Sequence, residues 1–233
     1  MGYSDLFLNG NVGSIKLGAS NVKIYFGEKI VYPTYKVKLT LNDNSVVFIP
    51  YDENSTSSIT RSEIENAVSA VSSITDVEIS TAVKTVDSET FGDIKNISGL
   101  TIGSGVIYIG SGAFAGQRVE NLVVPDNVQE ISSGGFADAY VMKTAVFGTG
   151  LTMVGGTLLG SSNRQVPLES ITFKSTVPPT ATYPDFLDHT NDCPIYVPSG
   201  SVNDYKTAQY WDAYASRIQA IPSGNNAWDA AIK

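Results

Sequence analysis

The chain has 233 residues, 42% of them apolar and 16% charged, with a net charge of −8. That length and apolar content suffice for one large domain or two small ones with a core. The acidic balance repels phosphate backbones, so no nucleic-acid partner is expected. No window approaches the roughly 18 apolar residues of a membrane span, so none is expected, and a single cysteine, Cys193, and a single histidine, His189, exclude an internal disulfide and the common zinc sites.

In chain order, "MGYSDLFLNGNVGSIKLG" has neither a basic nor an apolar leader region, so no secretory signal is expected. The initial Met favours a protein that is not exported over one whose leader is lost. Ile15 and Leu17, then "VKIYF" and "KIVYP" around Gly27-Glu28, read as short strands with a hairpin turn. "YKVKLTL" and "SVVFIP" flank Asn42-Asp43-Asn44, a second hairpin signal. Residues 1–50 thus form a small β-rich region whose strands have no repeat neighbours to complete their sheet, which invites an assembly partner. Residues 51–74 form a linker and capping helix: Thr60-Arg61-Ser62-Glu63 has the capping-box form, and Ile64, Val68 and Val71 share one helical face.

A repeat follows. Val77, Ile79, Val83, Val86 and Phe91 recur 23 residues on as Leu100, Ile102, Val106, Ile109 and Phe114. A further 22 residues bring Leu122, Val124, Val128, Ile131 and Phe136, and another 23 bring Ala145, Phe147, Leu151, Val154 and Leu159. Ile171 and Phe173 begin a partial set after a longer insertion. The first two slots, two residues apart, point to one face of a short strand; the next two, three apart, fit a tight turn; the aromatic or Leu slot follows five residues later. One coil cannot bury five apolar groups, but stacked coils bury them in one core. The period lies within the roughly 20–29 residues of leucine-rich repeats. The expected fold is therefore an α/β repeat: a leucine-rich-repeat solenoid of about four to five coils over residues 75–192. A helical cap over 193–221 closes it, with Ser201 capping a helix through Tyr210 and Tyr205, Ala208 and Trp211 near one face. A tail, 222–233, can fray or dock on a partner.

"IGSGAFAG", "LVVPDNVQEISSGGFADA" and "ITFKSTVPPT" resemble BspA-type leucine-rich repeats, whose pattern joins a strand, "IPxxVxxIGxxAFxGC" and a coil. "CPIYVPSGSVNDYKTAQYWDAYASRIQAI" resembles the C-terminal cap of such arrays in proteins of Bacteroidales and their phages. The chain departs from the pattern at Leu158-Leu159, where "AF" is usual, and at Gln117 and Ala139, where Cys is usual. "LNGNVGSIKLGASNVKIYFGEKIVYP" resembles the short modules that begin many phage tail and virion proteins.

No P-loop, G-x-S-x-G or H-E-x-x-H occurs. The Gly103/Gly105 and Gly110/Gly112 pairs follow the repeat register rather than a nucleotide loop. Asp185, Asp188, His189 and Asp192 match no cation-loop spacing and read as a solvated insertion, and Cys193 as a small buried hydrophobe. No catalytic residue, metal or cofactor is expected. The residue between the first two slots should point out of the sheet, giving an exposed ladder of Glu78, Thr101, Val123, Val146 and Thr172, flanked by Asp76, Asn121 and Ser170. The resemblance implies a non-enzymatic phage virion protein, tail, fibre or capsid-associated and located in the virion. Its N-terminal region would anchor it to other virion proteins, its repeat face would recognise a host surface glycan or protein, and the protein would be a homo-oligomer. The alternative is a bacterial cell-surface adhesin whose leader is missing from this sequence.

Overall fold

The computed structural model describes residues 35–51, 56–160 and 165–223 and, before Tyr35, the backbone of four strands. The Gly27-Glu28 turn and the tail after 223 lie outside the described residues. Ser4–Leu8 runs parallel to Val22–Phe26. Val22–Phe26 also pairs antiparallel with Lys29–Ile30, Phe26 opposite Lys29, as a two-residue hairpin requires.

Tyr35–Leu41 and Val46–Pro50 form the second expected hairpin. Its turn is closed by Leu41 N donating to Ser45 O at 2.9 Å and by the Asp43 carboxylate accepting from Ser45 N at 2.9 Å. The far edge of Val46–Pro50 takes Ile15–Leu17. Tyr35–Leu41 lies antiparallel to Ile74–Ile79, the first long strand of the repeats. That corrects the expectation that strands before residue 50 lack repeat neighbours: Val37 and Leu39 alternate inward and share a core with Val77 and Ile79.

Each coil then crosses two parallel ladders. The short ladder holds six two-residue strands: Ser58–Ile59, Thr85–Val86, Tyr108–Ile109, Glu130–Ile131, Met153–Val154 and Thr180–Ala181. The second residue of each is buried, and five residues beyond it come Ile64, Phe91, Phe114, Phe136, Leu159 and Phe186, all buried. The sequence pattern yielded four complete sets and a fifth partial one; the register adds Ile59 and Ile64 at one end and Ala181 and Phe186 at the other. The helix Arg61–Ala67 is thus the outer arc of the first coil. Its capping box is formed, with Thr60 N donating to Glu63 Oε2 at 3.0 Å and Glu63 N to Thr60 Oγ1 at 3.3 Å.

Phe91, Phe114 and Phe136 form a column of near-parallel rings, with centroids 5.3 and 5.2 Å apart. Each ring sits in a sharp arc because the residues two before and two after it are left-handed: Glu89 and Asp93, Gly112 and Gly116, Gly134 and Asp138. Glycine takes that conformation without cost from a side chain, which explains the recurring glycine two places before the aromatic. Gly105 has a different role: a Cβ there would lie 1.9 Å from Thr81 O, so it lets two coils touch.

The long ladder is split. Gly99–Thr101 pairs parallel with Ile74–Ile79 and ends the sheet that contains the N-terminal hairpin. A second sheet starts at Asn121–Val124 and continues through Thr144–Phe147, Ser170–Phe173, Ile195–Val197 and Ile218–Ala220. Of the ten residues in the first two slots, which are expected to face inward from the long strands, nine are buried. Leu100 is the exception; it is half-buried because it stands at the split.

At the C-terminal end, Trp211 and Tyr214 pack edge-on against Phe173 and Phe186, with Trp211 4.9 and 4.8 Å from those two rings, and Tyr205 lies tilted against Phe173. Their polar tips donate to carbonyls of a proline-rich arc: Trp211 Nε1 to Pro179 O, Tyr205 Oη to Ser175 O and Tyr214 Oη to Pro184 O, at 2.8–2.9 Å. The helix is shorter than the spacing suggests. It spans Val202–Thr207, and Ser201 makes no side-chain cap; a 3₁₀ turn, Ser199–Ser201, precedes the helix and the Ser201 hydroxyl donates to Thr176 O at 2.7 Å instead.

Candidate functional site

The outward positions of the two sheets differ. Glu78 is half-buried and committed: Tyr35 Oη donates to one carboxylate oxygen and Lys38 Nζ to the other, the latter at 2.9 Å. Burial opposes its charge, but those two bonds and the Lys38 ammonium outweigh burial and hold its pKa below the ordinary glutamate value. Lys38 and Glu78 face each other in register across antiparallel strands, which is why the sequence brings them together. Thr101 and Asn121 are exposed and Val123 is half-buried.

Val146 and Thr172 are not exposed, contrary to expectation: Val146 is 6% and Thr172 1% accessible. Both lie inside the second sheet with a strand on each side. Val146 has Val123 and Thr172 opposite it in register, and Thr172 has Val146 and Tyr196. The Thr172 hydroxyl finds no hydrogen-bond partner among the described residues. The ladder named from sequence therefore does not form one surface, and of its flanking residues Asp76 and Ser170 are half-buried. Thr101, Asn121 and Val123 border the split, Glu78 is tied to the hairpin, and Val146 and Thr172 are interior to a sheet.

Between Gly99–Thr101 and Asn121–Val124 lies a cavity of about 520 Å³, bordered by Leu100, Arg118, Val119, Glu120, Asn121 and Val141. The pattern of five slots overlooked its floor. Val119 belongs to a further apolar position three residues before the first slot, shared with Ile74, Ile97, Met142 and Leu168, all buried. Those residues vary in type, so only the three-residue offset could have revealed them. Just before it, Gln117 occupies the position held by Ile94 and Ala139 in neighbouring coils. Its Nε2 donates to Phe91 O at 2.6 Å and its buried Oε1 has no partner among the described residues. An unpaired buried acceptor costs about 1–3 kcal/mol. The break in the long ladder thus follows directly on a polar residue set in an apolar column.

Glu120 is bound to Lys143 at 2.7 Å on the surface. Arg118 is exposed, and its guanidinium has neither an ion pair nor a hydrogen bond among the described residues.

Asp185, Asp188, His189 and Asp192 are exposed, and the single Tyr214 hydroxyl hydrogen is shared between Pro184 O and Asp188 Oδ1, each 2.8 Å away. Burial, aided by the bond to Asp188, raises the Tyr214 pKa. Among the described residues no three His, Cys, Asp or Glu converge as a metal site would need. Cys193 is buried, 3.6 Å from Arg217 Nη2, and burial raises its thiol pKa against the pull of Arg217, so it stays a neutral thiol. Among the described residues no helix is long and apolar enough to cross a membrane.

No curated protein matches the chain. The family model of the BspA-type leucine-rich repeat region matches residues 62–183 in six copies, beginning within the helix Arg61–Ala67 and ending just after the last short strand. That match covers more than half of the sequence, and the chain belongs to the BspA-type leucine-rich-repeat family.

Proposed function

We propose that this protein is a non-enzymatic binding protein of a phage particle: a tail, fibre or capsid-associated component, homo-oligomeric, in which the N-terminal strands attach to other virion proteins and the repeats recognise a host surface glycan or protein. The observation that carries the binding half is the repeat array itself. It holds its apolar groups in one continuous core and leaves open sheet and loop surfaces on the outside, the arrangement that repeat proteins use for recognition. The attachment half draws on the first 34 residues, whose sequence resembles short virion modules and whose strands Ser4–Leu8, Val22–Phe26 and Lys29–Ile30 form a sheet of their own.

Mass spectrometry of particles purified from cells that carry the gene tests the reading. Recovery of the chain at a fixed ratio to the capsid protein supports it, and loss of the chain from particles after deletion of residues 1–34 supports the attachment role. Absence from particles, together with antibody labelling of intact bacterial cells, favours a cell-surface adhesin instead.

A further inference from the structure

We propose that the split in the long ladder is a docking groove for an extended polypeptide segment bearing a carboxylate, which takes the strand position missing between Gly99–Thr101 and Asn121–Val124. The inference rests on the protein-binding reading above and gives it a place and a chemistry.

The coils on either side of the split are joined elsewhere. Tyr108–Ile109 pairs with Glu130–Ile131 in the short ladder, and Arg118 N donates to Ile97 O at 2.8 Å just before the two long strands, so the coils separate only along the strands themselves. Gly99–Thr101 is bonded only towards Ile74–Ile79, and Asn121–Val124 only towards Thr144–Phe147. No turn or loop bond reaches the opposite side of either strand among the described residues. Each strand therefore leaves one row of backbone N–H and C=O groups unpaired, and Gly99, Leu100 and Asn121, where the two strands begin, line the cavity. Such an edge is a template for another strand, because only a second backbone repeats donors and acceptors at about 3.3 Å per residue. A cavity of about 520 Å³ between the edges suits a short segment.

The lining sets the side-chain chemistry of that segment. Leu100, Val119 and Val141 offer apolar contact to every second residue. Of the two charged residues at the margin, Glu120 is already neutralised by Lys143, which leaves the Arg118 guanidinium as the uncommitted charge. A carboxylate on the incoming strand pairs with it in the two-pronged geometry that guanidinium favours.

The full chain is panned against a displayed library of random linear decapeptides, and the strongest binder is synthesised and titrated by calorimetry. The selected peptides should alternate apolar residues with others and carry an aspartate or glutamate. Arg118→Glu, a change at an exposed side chain, should weaken binding by about tenfold or more. Replacing the peptide's acidic residue with lysine should restore binding to that variant and weaken it on the wild type. A peptide that binds wild type and Arg118→Glu alike would overturn the groove while leaving protein binding at another surface intact. A library that yields no binder overturns the groove as a peptide site, whereas the particle experiment addresses the broader reading independently.

Discussion

The same coils build both ladders, yet the short ladder runs through six strands without interruption and the long ladder divides in two. The short ladder is locked by its surroundings. Each of its strands is followed five residues later by a fully buried apolar group, and three of those groups stack as a phenylalanine column. The long ladder lacks an equivalent lock at the split, where Leu100 is only half-buried. Phe147 and Phe173 stack at 4.8 Å within the second sheet, where the strands are continuous. Continuity thus follows side-chain columns more closely than it follows backbone pairing, as expected if packing across coils sets their spacing and hydrogen bonds form where the spacing allows.

The sharpest way to break the short ladder is Phe114→Ala. Its ring lies between two others and is 1% exposed, so chemical denaturation should show a loss of about 3–5 kcal/mol. The long ladder can be probed at one repeat position on both sides of the split. Leu122→Ala should cost about 3 kcal/mol, whereas Leu100→Ala, already half-buried, should cost less than half as much. Equal losses would mean that the split does not exist in solution.

Outward positions sharpen the contrast further. Val146→Glu puts a carboxylate into a position that is 6% exposed and should cost about 2 kcal/mol, whereas Val123→Glu, half-buried at the edge of the split, should change stability by under about 1 kcal/mol. The smallest effect is expected where the first sheet meets the hairpin. The folded pKa of Glu78 lies below its unfolded value, so its contribution is present above the unfolded value and is lost as pH falls through the folded one. Glu78→Gln should therefore be less stable than wild type at neutral pH, and the two unfolding curves should converge in acid.

Much of this was legible in the sequence. The gaps between Val77, Ile79, Val83, Val86 and Phe91 are covalent distances, and a stack that repeats them must bury the same residues each time. The first coil escaped notice because its outer arc is a helix and only Ile59 and Ile64 keep the spacing. The last was read only in part, through Ile171 and Phe173, because an insertion separates Ile171 from its predecessors and a proline-rich arc leads into Ala181. The candidate surface was legible only in part. Alternation along a strand says which way Val146 and Thr172 point, but burial also depends on the strands beside them, which lie a whole repeat away. The split was not legible, because the apolar slots on both sides of it are intact. What changes is the fit of Gln117 into a column of apolar neighbours and the backbone pairing beyond it, and neither leaves a mark in slot spacing.

Residue-resolved hydrogen exchange on the free protein tests the split most directly. Amides in the short strands Tyr108–Ile109 and Glu130–Ile131 and inside Thr144–Phe147 should be strongly protected, while those of Gly99–Thr101 and Asn121–Val124 that face the cavity should exchange near the unprotected rate. Uniform protection across both ladders, with Gly99–Thr101 and Asn121–Val124 as slow as their neighbours, would contradict the account.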